Sequence, residues 1–552
     1  MSLPSFSTQG ALFSLAGLGR RLFGPADRYG LFARKVYPLL VAARPKLASL
    51  YCADNGRPAV EPVLLAGVSL LQYLEGAPDR QAVDCLRYHV GWNLALNRHV
   101  GDDLFHPTCL VNFRQRLIAG GQSAVVFAQI LEGLVAAGLV ARQGKQRLDS
   151  TQVFGLVSRM SKLECVRESL RLALAEVKER AQKFALPAFW EQLWSRYVES
   201  KLDYKASRET LVGKLQEAGA DAWRLLGWVE RLSDKEIAQG EEVKLLRRVF
   251  GEQFEVAEGR EPVVEPKREW GSGTVQNPHE PEATWAAKGR GAQKKEHVGY
   301  KVQVAETVND ALLAPGEPTR NFIVGVATQP AHHSDEAGAE QMAAEQAAMG
   351  LDRPPTQYVD AAYISAEALA VAAAQGRELI GPAQPAPQPK EGRFSAEAFA
   401  VEVEQRQARC PGGRLNTQCS RLEDKQTGKV VYRFEWSTQC ADCPLRGQCV
   451  GEGQKHRTLV VGEHHTLLQA RRQEQKTEAF QEQVQARNAL EGTQSELVRG
   501  HGLRQARYRG LEKDRLQNYF IGAACNAKRW IRRLVWEFQH GSVAAAVAVA
   551  TG

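Results

Sequence analysis

Three short stretches of the chain each place one carboxylate where metal-dependent phosphoryl transfer would need it. They are Arg147-Leu148-Asp149-Ser150-Thr151, Tyr358-Val359-Asp360-Ala361-Ala362-Tyr363 and Arg487-Asn488-Ala489-Leu490-Glu491-Gly492-Thr493. Asp149, Asp360 and Glu491 can together hold two divalent cations, and a metal pair roughly 3.5–4 Å apart clamps the attacking and leaving oxygens of an in-line displacement. Oxygen ligands of this kind select Mg²⁺ or Mn²⁺ rather than zinc.

Each carboxylate also has an ordinary structural explanation. Asp149 is a possible turn or cap aspartate because Ser and Thr follow it, and Asp360 a turn carboxylate after a buried strand. Glu491 is one more glutamate on a polar helix, with Glu496 as a near competitor. We prefer Glu491 because it follows Arg487 by four residues, which puts a phosphate-binding cation and a metal ligand on one helix face. The joint placement of the three acids favours the catalytic interpretation.

The elements around these acids predict a mixed α/β sheet. Alternation over 145–154 predicts a strand that carries Asp149, and residues 298–305 and 321–327 predict two more. An Ala-rich helix over 335–349 precedes a strand over 357–359 that leads to Asp360. A helix over 365–374 and a short strand over 379–381 follow. This order puts Asp149 on the central strand and Asp360 at the end of its neighbour.

Composition shifts divide the rest of the chain. Helical spacing of apolar residues predicts a helical DNA-binding or dimerisation domain over 36–125. The core occupies 140–384 and 470–540, and a helical insertion rich in Glu, Lys, Arg, Leu and Ala interrupts it over 156–260. Residues 255–296 lose the apolar pattern and gain Pro, Gly and Glu, so we expect a loop that returns to the core.

Cysteines cluster in a fourth segment, residues 385–469. Cys440-Ala441-Asp442-Cys443 has the spacing of a zinc-ligand hairpin, and Cys410 and Cys449 would complete a set of four. Such a cluster in a cytosolic protein favours a structural zinc over disulfides. Free thiols or a redox pair are the alternatives, and Cys419 is left over.

Charge and hydropathy narrow the class of protein. The chain has 552 residues, 44% of them hydrophobic, with no run of about 18 apolar residues, so we expect no membrane association. The amino terminus has no basic-then-apolar signal pattern, so we expect an intracellular protein. Of the net charge of +8, residues 1–50 carry +6 and residues 501–540 another +6. Basic ends can follow DNA phosphates by counterion release, although a solvated helix face is the ordinary explanation.

The three motifs resemble the Asp, Asp and Glu boxes of bacterial insertion-sequence transposases of the DDE type. The resemblance continues through His501-Gly502-Leu503-Arg504 and Arg507-Tyr508-Arg509-Gly510-Leu511, and spans about 36–536. Val484 and Val498 depart from the family, since many relatives carry tyrosine and lysine there. The resemblance implies a ribonuclease-H-like core, an amino-terminal helical domain that binds the element's ends, and two Mg²⁺ or Mn²⁺ ions at Asp149, Asp360 and Glu491.

The residues and the resemblance together predict a DNA transposase that cuts at transposon ends and joins them to target DNA. We expect double-stranded DNA as the partner, a homodimer when bound to it, and a cytoplasmic, nucleoid-associated location. A Mg²⁺-dependent nuclease without joining activity is the nearer alternative. A non-enzymatic, zinc-containing DNA-binding protein, such as an inactivated transposase, is the more distant one. The candidate DNA-backbone contacts are Arg487, Arg499, Arg504, Arg507, Arg509 and Lys513.

Overall fold

The computed structural model describes residues 22–52, 58–99, 101–181, 185–202, 205–232, 235–257, 263–289, 291, 294–386, 392–425 and 428–541. The amino-terminal part is helical. Its helices are α1 (Arg28–Leu31), α2 (Tyr37–Ala42), α3 (Arg44–Ala48), α4 (Pro62–Glu75), α5 (Asp79–Tyr88), α6 (Val90–Ala95), α7 (Thr108–Ala119) and α8 (Val125–Ala136). A π-helical turn, Phe32–Val36, joins α1 to α2.

Helix α4 shows how local sequence sets its bounds. The Glu61 carboxylate accepts a hydrogen bond from the Val63 N–H, and Pro62 occupies the first turn, where its missing N–H costs nothing. Gly76 ends the helix at φ 73°, a left-handed conformation that glycine adopts without strain. Eleven of the fourteen residues of α4 are buried, which makes it the central helix of this part.

Strand β1 (Gln146–Phe154) follows and carries Asp149, and a helical insertion comes after it. Its elements are α9 (Lys162–Arg180), α10 (Trp190–Trp194), a π-helical turn (Ser195–Glu199), α11 (Arg208–Arg231), α12 (Lys235–Ala238), α13 (Glu241–Gln253), β2 (Phe254–Ala257) and β3 (Val263–Pro266). A capping box of Ser161 and Glu164 starts α9. The buried side chains of the insertion form a hydrophobic cluster of their own.

The remaining strands of the main sheet are β4 (Thr284–Lys288), β5 (Lys295–Thr307), β6 (Ile323–Pro330), β7 (Thr356–Tyr358) and β8 (Glu378–Ile380). The sheet runs β4-β5-β1-β7-β8, and β6 also pairs with β5. β1 lies antiparallel to β5 and parallel to β7, and β7 lies parallel to β8. Helices α14 (Asp335–Ala348) and α15 (Ala366–Ala374) come before and after β7. The mixed sheet with flanking helices confirms the ribonuclease-H-like fold class.

The expectation of a loop over 255–296 is wrong for much of that range. Strands β2 and β3 pair with each other, and β4 pairs antiparallel with the first residues of β5. β5 also begins three residues earlier than the sequence predicts. Its first residues, Lys295, Glu296 and His297, are polar or titratable, so no apolar alternation marked them as a strand.

The cysteine-rich segment is built from short strands. They are β9 (Ala400–Glu402), β10 (Gln407–Arg409), β11 (Gln418–Glu423), β12 (Val430–Glu435) and β13 (Thr458–Gly462), with a 3₁₀ turn (Ala396–Ala398) before them and the short helix α16 (Arg446–Cys449) between β12 and β13. β11, β12 and β13 form one small sheet, and Phe434 and Trp436 lie in its core.

Three helices complete the chain: α17 (His465–Glu474), α18 (Glu478–His501) and α19 (Leu511–His540). Gly502, at φ 77°, ends α18. The buried side chains of the amino-terminal helices, the main sheet and α19 belong to a single hydrophobic cluster. Among the described residues, no helix combines the length and apolar character that a bilayer span requires.

Candidate active site

Asp149 and Asp360 lie on neighbouring parallel strands. Asp149 is in β1 opposite Val304 of β5, and Asp360 comes two residues after β7, whose Tyr358 pairs with Arg147. The turn after β7 fixes Asp360: its carboxylate accepts a hydrogen bond from the Ala362 N–H at 2.8 Å, and its carbonyl accepts one from the Tyr363 N–H at 3.2 Å. Both carboxyl groups are partly exposed.

The surroundings of Asp149 act on its charge in opposite directions. Burial raises the pKa of Asp149, and the charge of Asp360 adds to that rise. The Ser150 N–H, which donates to Asp149 Oδ1 at 2.7 Å, and the cations Arg487 and Lys288 act to lower the pKa, and the net shift is upward. Two acids that resist joint ionisation are a common sign of a site that takes up cations.

Helix α18 turns one face toward Asp149. Arg487 Nη1 lies 3.2 Å from Asp149 Oδ2, and Gln494 Nε2 donates to the Ser150 carbonyl at 3.3 Å. Glu491 is four residues after the first and three before the second, so it shares their face. Glu491 is exposed and has no hydrogen bond or ion pair with the described residues. The three predicted acids therefore surround one edge of β1, and their catalytic role stays a prediction.

A buried ionic network holds α18 against the sheet. Arg147 of β1 pairs with Glu306 of β5, and its Nη1 donates to the Ala486 carbonyl at 3.0 Å. Glu306 Oε1 accepts hydrogen bonds from Thr493 Oγ1 at 2.6 Å and from Arg529 of α19 at 2.5 Å. Arg147, Glu306 and Arg529 are all less than 5% exposed, so the pairing must be complete to offset their desolvation.

Sequence reasoning missed Glu306 and Arg529 as residues that position the site. Their partners are 159 to 223 residues away in the chain, so no spacing pattern connects them. Arg147 and Thr493, in contrast, lie inside the quoted motifs.

Glu496, the competitor of Glu491, faces away from Asp149. Its carboxylate lies 3.0 Å from Arg529, 3.6 Å from Lys528 and 3.5 Å from Arg532. The ligand atoms of Glu496, His501 and Cys525 all lie within 4.8 Å of one another. The cations that already pair with Glu496 satisfy its charge, so we assign this residue to the attachment of α18 to α19.

Tyr363 connects the Asp360 turn to the strand beside Asp149. Its hydroxyl donates to Gln303 of β5, the residue opposite Ser150, and Gln303 Nε2 donates to Asp335 Oδ1 at 3.2 Å. Tyr363 and Gln303 are both buried. The turn therefore has little freedom to move Asp360 relative to Asp149.

The residue types at this site suit a hard divalent cation. Asp149, Asp360 and Glu491 offer only oxygen donors, which match the preference of Mg²⁺. Their ligand oxygens do not all lie within 4.8 Å of one another. A site for two ions has outer ligands that are further apart than those of one ion, so this spread is compatible with the predicted pair.

The candidate DNA contacts beyond Arg487 fall into two groups. Arg499, Arg509 and Lys513 are exposed and have no ion pair or hydrogen-bond partner among the described residues. Arg504 is exposed too, but it donates to the Gln152 carbonyl at 3.3 Å. Arg507 stacks on the Tyr73 ring at 4.6 Å, which attaches this loop to α4. Arg507 is therefore partly occupied by a protein contact.

The later part of the basic stretch over 501–540 does not form a free basic surface. Arg529 pairs with Glu306 and Glu496, and Arg533 pairs with Glu317 and Glu537. These pairs are internal or close to the core, so the +6 charge of this stretch overstates its capacity for phosphate.

Four of the five clustered cysteines meet at one small cavity, which is lined by Cys410, Cys440, Cys443 and Cys449. A backbone N–H, that of Arg457, points to Cys440 Sγ at 3.5 Å, and burial raises the pKa of the Cys449 thiol, with the other three sulfurs adding to that rise. Cys419 lies apart on β11. No three of the sulfurs lie within 4.8 Å of one another, so joint ligation of one ion requires small side-chain rotations.

Comparison with known families gives two matches. Residues 28–116 match the Transposase domain (DUF772), and residues 409–531 match the Transposase DDE domain. The second segment contains Glu491, the four cysteines and the basic loop, whereas Asp149 and Asp360 lie between the two segments. No curated protein matches the chain significantly.

Proposed function

The chain is, by these two matches, an insertion-sequence transposase of the DDE type, and from this premise we propose that it cuts DNA at the ends of its element and joins them to target DNA. The observation that carries the proposal is the shared face of α18. Arg487 and Gln494 contact β1 at Asp149 and Ser150, and Glu491 lies between them. Asp360 lies at the end of the neighbouring strand.

The proposed mechanism gives each residue a simple part. Asp149, Asp360 and Glu491 hold divalent ions, which supply a Lewis acid and lower the pKa of the attacking water or hydroxyl group. Tyr363 and the Arg147–Glu306–Arg529 network keep the carboxylates in place. Arg487 lies beside Asp149, where its guanidinium can bind a phosphate oxygen of the strand being cut.

The four cysteines around the small cavity are proposed to hold one structural zinc ion. Their convergence supports this assignment, because Cys410 comes from the turn after β10 and the other three come from the region between β12 and β13. A metal there would fix the fold of a segment whose own hydrophobic core is small.

Alanine substitution of each carboxylate tests the catalytic proposal. Asp149→Ala, Asp360→Ala and Glu491→Ala should each reduce Mg²⁺-dependent strand cleavage by more than the roughly 100-fold that loss of an outer-shell partner costs. DNA binding should persist, because the exposed cations are unchanged. Glu482→Ala, which removes an exposed glutamate from the same helix, is the matched control and should cleave normally. Any triad variant that cleaves like this control would remove its residue from the site.

A supercoiled plasmid as target separates the proposed activity from its alternatives. A transposase yields joined products, a nuclease yields only cut products, and an inactivated protein binds DNA without Mg²⁺-dependent turnover of any kind. Joined product that disappears in Asp149→Ala is the expected result.

A further inference from the structure

An exposed β-hairpin projects from the sheet where the sequence predicted a loop. Residues 284–299 form it: β4 and the first residues of β5 pair antiparallel, from Thr284 opposite Gly299 to Lys288 opposite Lys295. We call residues 284–299 the basic hairpin. Residues 290, 292 and 293 at its tip lie outside the described part of the chain.

The basic hairpin carries positive charge with little to balance it. Its sequence has basic residues at 288, 290, 294 and 295 and one acid, Glu296. Lys294 is already engaged, because its Nζ lies 2.7 Å from Glu296 Oε1 and 5.1 Å from the centre of the Trp285 ring. Lys288 and Lys295 are exposed, and neither has an ion pair or hydrogen-bond partner among the described residues.

Those two lysines face each other. Lys288 and Lys295 are the last pair of the β4–β5 register, so their ammonium groups leave the same end of the hairpin. Like charges directly opposite each other destabilise an antiparallel pair. An anion bound between them would remove this repulsion.

The base of the basic hairpin is packed beside the candidate active site. Gly299 lies so close to β1 that a Cβ there would be 2.1 Å from the Val153 carbonyl oxygen. The His297 ring contacts Phe154 of β1 edge to face at 5.7 Å, and the Phe154 N–H donates to the Arg504 carbonyl at 2.9 Å. Arg159, just after β1, reaches Glu296 at 3.8 Å and the Trp285 ring at 5.7 Å. These contacts hold the hairpin between β1 and the loop that carries Arg504.

The free end of the hairpin also acts on the site. The charge of Lys288 is one of the influences that oppose the rise in the pKa of Asp149, so its ammonium group is within electrostatic reach of that carboxylate. Arg487 approaches Asp149 from α18, and Arg504 contacts Gln152 further along the strand. Cations from three separate elements therefore surround one edge of β1.

We propose that the basic hairpin is a DNA-binding element, in which Lys288 and Lys295 together hold backbone phosphates of the strand that enters the Asp149 site. This rests on the proposed function. The contacts are to phosphate, so they add affinity and position without selecting sequence.

The test uses the full chain with both lysines neutralised, Lys288→Gln and Lys295→Gln. The matched control is Arg208→Gln with Arg231→Gln, which removes two exposed, unpaired cations from α11 in the helical insertion and changes the net charge equally. Fluorescence anisotropy with a labelled DNA duplex, repeated over a range of salt concentrations, gives the slope of log affinity against log salt. The hairpin variant should lower that slope by about 1.8, at roughly 0.9 per phosphate contact.

The outcomes are distinguishable. A lower slope and weaker cleavage in the hairpin variant alone support the proposal. Equal slopes for the hairpin variant, the control and the unaltered protein overturn it, and so does a changed oligomeric state in sedimentation with an unchanged slope. If the unaltered protein neither binds nor cuts DNA, the proposed function fails instead.

Discussion

Asp514 shows how strongly burial can set the ionisation of one side chain. It has no exposed surface, and burial raises its pKa from 3.8 to about 7, with the charge of Glu280 adding to the rise. Its Oδ2 accepts a hydrogen bond from Asn518 Nδ2 at 3.1 Å, which acts in the opposite direction, but its Oδ1 has no partner. The folded protein therefore favours the neutral carboxyl group.

The stability of the protein should consequently fall as the pH rises toward 7. Because the pKa is higher in the folded state, the stabilisation from Asp514 is complete below about pH 4 and is lost as the pH approaches about 7. The slope is up to about 1.4 kcal/mol per pH unit. Asp514→Asn, which cannot ionise, should show no such loss, so its Tm should gain on that of the unaltered protein from pH 5 to 7 and keep a constant lead above pH 7.

Thermal melts at half-unit pH steps measure the difference, and exposed Asp84→Asn is the control. Parallel Tm profiles for Asp514→Asn and the unaltered protein would contradict the assignment.

At the scale of residues, the sequence was sufficient for side chains whose role depends on local context. Asp149, Asp360 and the helix face of Arg487 and Glu491 could be placed because strand period and helix spacing are local properties. The partners Glu306 and Arg529 could not be predicted, because a buried ion pair is set by the three-dimensional packing of distant segments. The same limit explains why Arg533 was counted as surface charge, although it pairs with Glu317.

At the scale of elements, the cysteine-rich segment depends on cross-links more than on burial. Its strands are three to six residues long, and they enclose a core of few large side chains. A zinc ion at Cys410, Cys440, Cys443 and Cys449 would join the turn after β10 to α16. Freshly prepared, reduced protein should therefore contain about one zinc per chain.

Cys440→Ser combined with Cys443→Ser should remove that zinc and increase hydrogen exchange over residues 400–462, because a zinc site supplies folding free energy directly. Cys419→Ser should keep both the zinc and the protection, since Cys419 lies outside the cavity. Elemental analysis and exchange mass spectrometry provide the two readouts. A zinc content near zero in the unaltered protein would refute the assignment.

The basic hairpin marks the limit of reading elements from a sequence. Residues 284–288 and 295–299 contain lysines, a histidine and glycines, and five-residue strands of this composition show no period-two pattern. Their pairing is stabilised by cross-strand partners and by Trp285, whose contacts with Arg159 and Lys294 involve residues from both sides of the insertion. Where strands were apolar, as in β6, the sequence indicated them correctly.

At the scale of the whole molecule, α19 joins the amino-terminal helices to the sheet. Phe520 stacks on Tyr73 of α4 at 5.7 Å, and Tyr519 packs against Phe127 of α8 while its hydroxyl donates to Glu345 of α14 at 2.7 Å. Asn526 forms hydrogen bonds with both the N–H and the carbonyl of Ile323 in β6. The helical insertion has a separate core, so its stability is set mostly by its own packing.

This arrangement predicts that α4 and β6 unfold together while the insertion does not follow them. Phe520→Ala should cost about 3–5 kcal/mol, because it leaves a cavity between α4 and α19. Hydrogen exchange should then rise in both α4 and β6, since α19 contacts both. Leu170→Ala, a substitution in the fully buried centre of α9, should cost a comparable amount but raise exchange only within α9, α11 and α13. Exchange mass spectrometry of the two variants tests the pattern. If Phe520→Ala loosened α4 and left β6 protected, the amino-terminal helices would be an independent folding unit, and the single core shared by α4, α19 and the sheet would not behave as one cooperative structure.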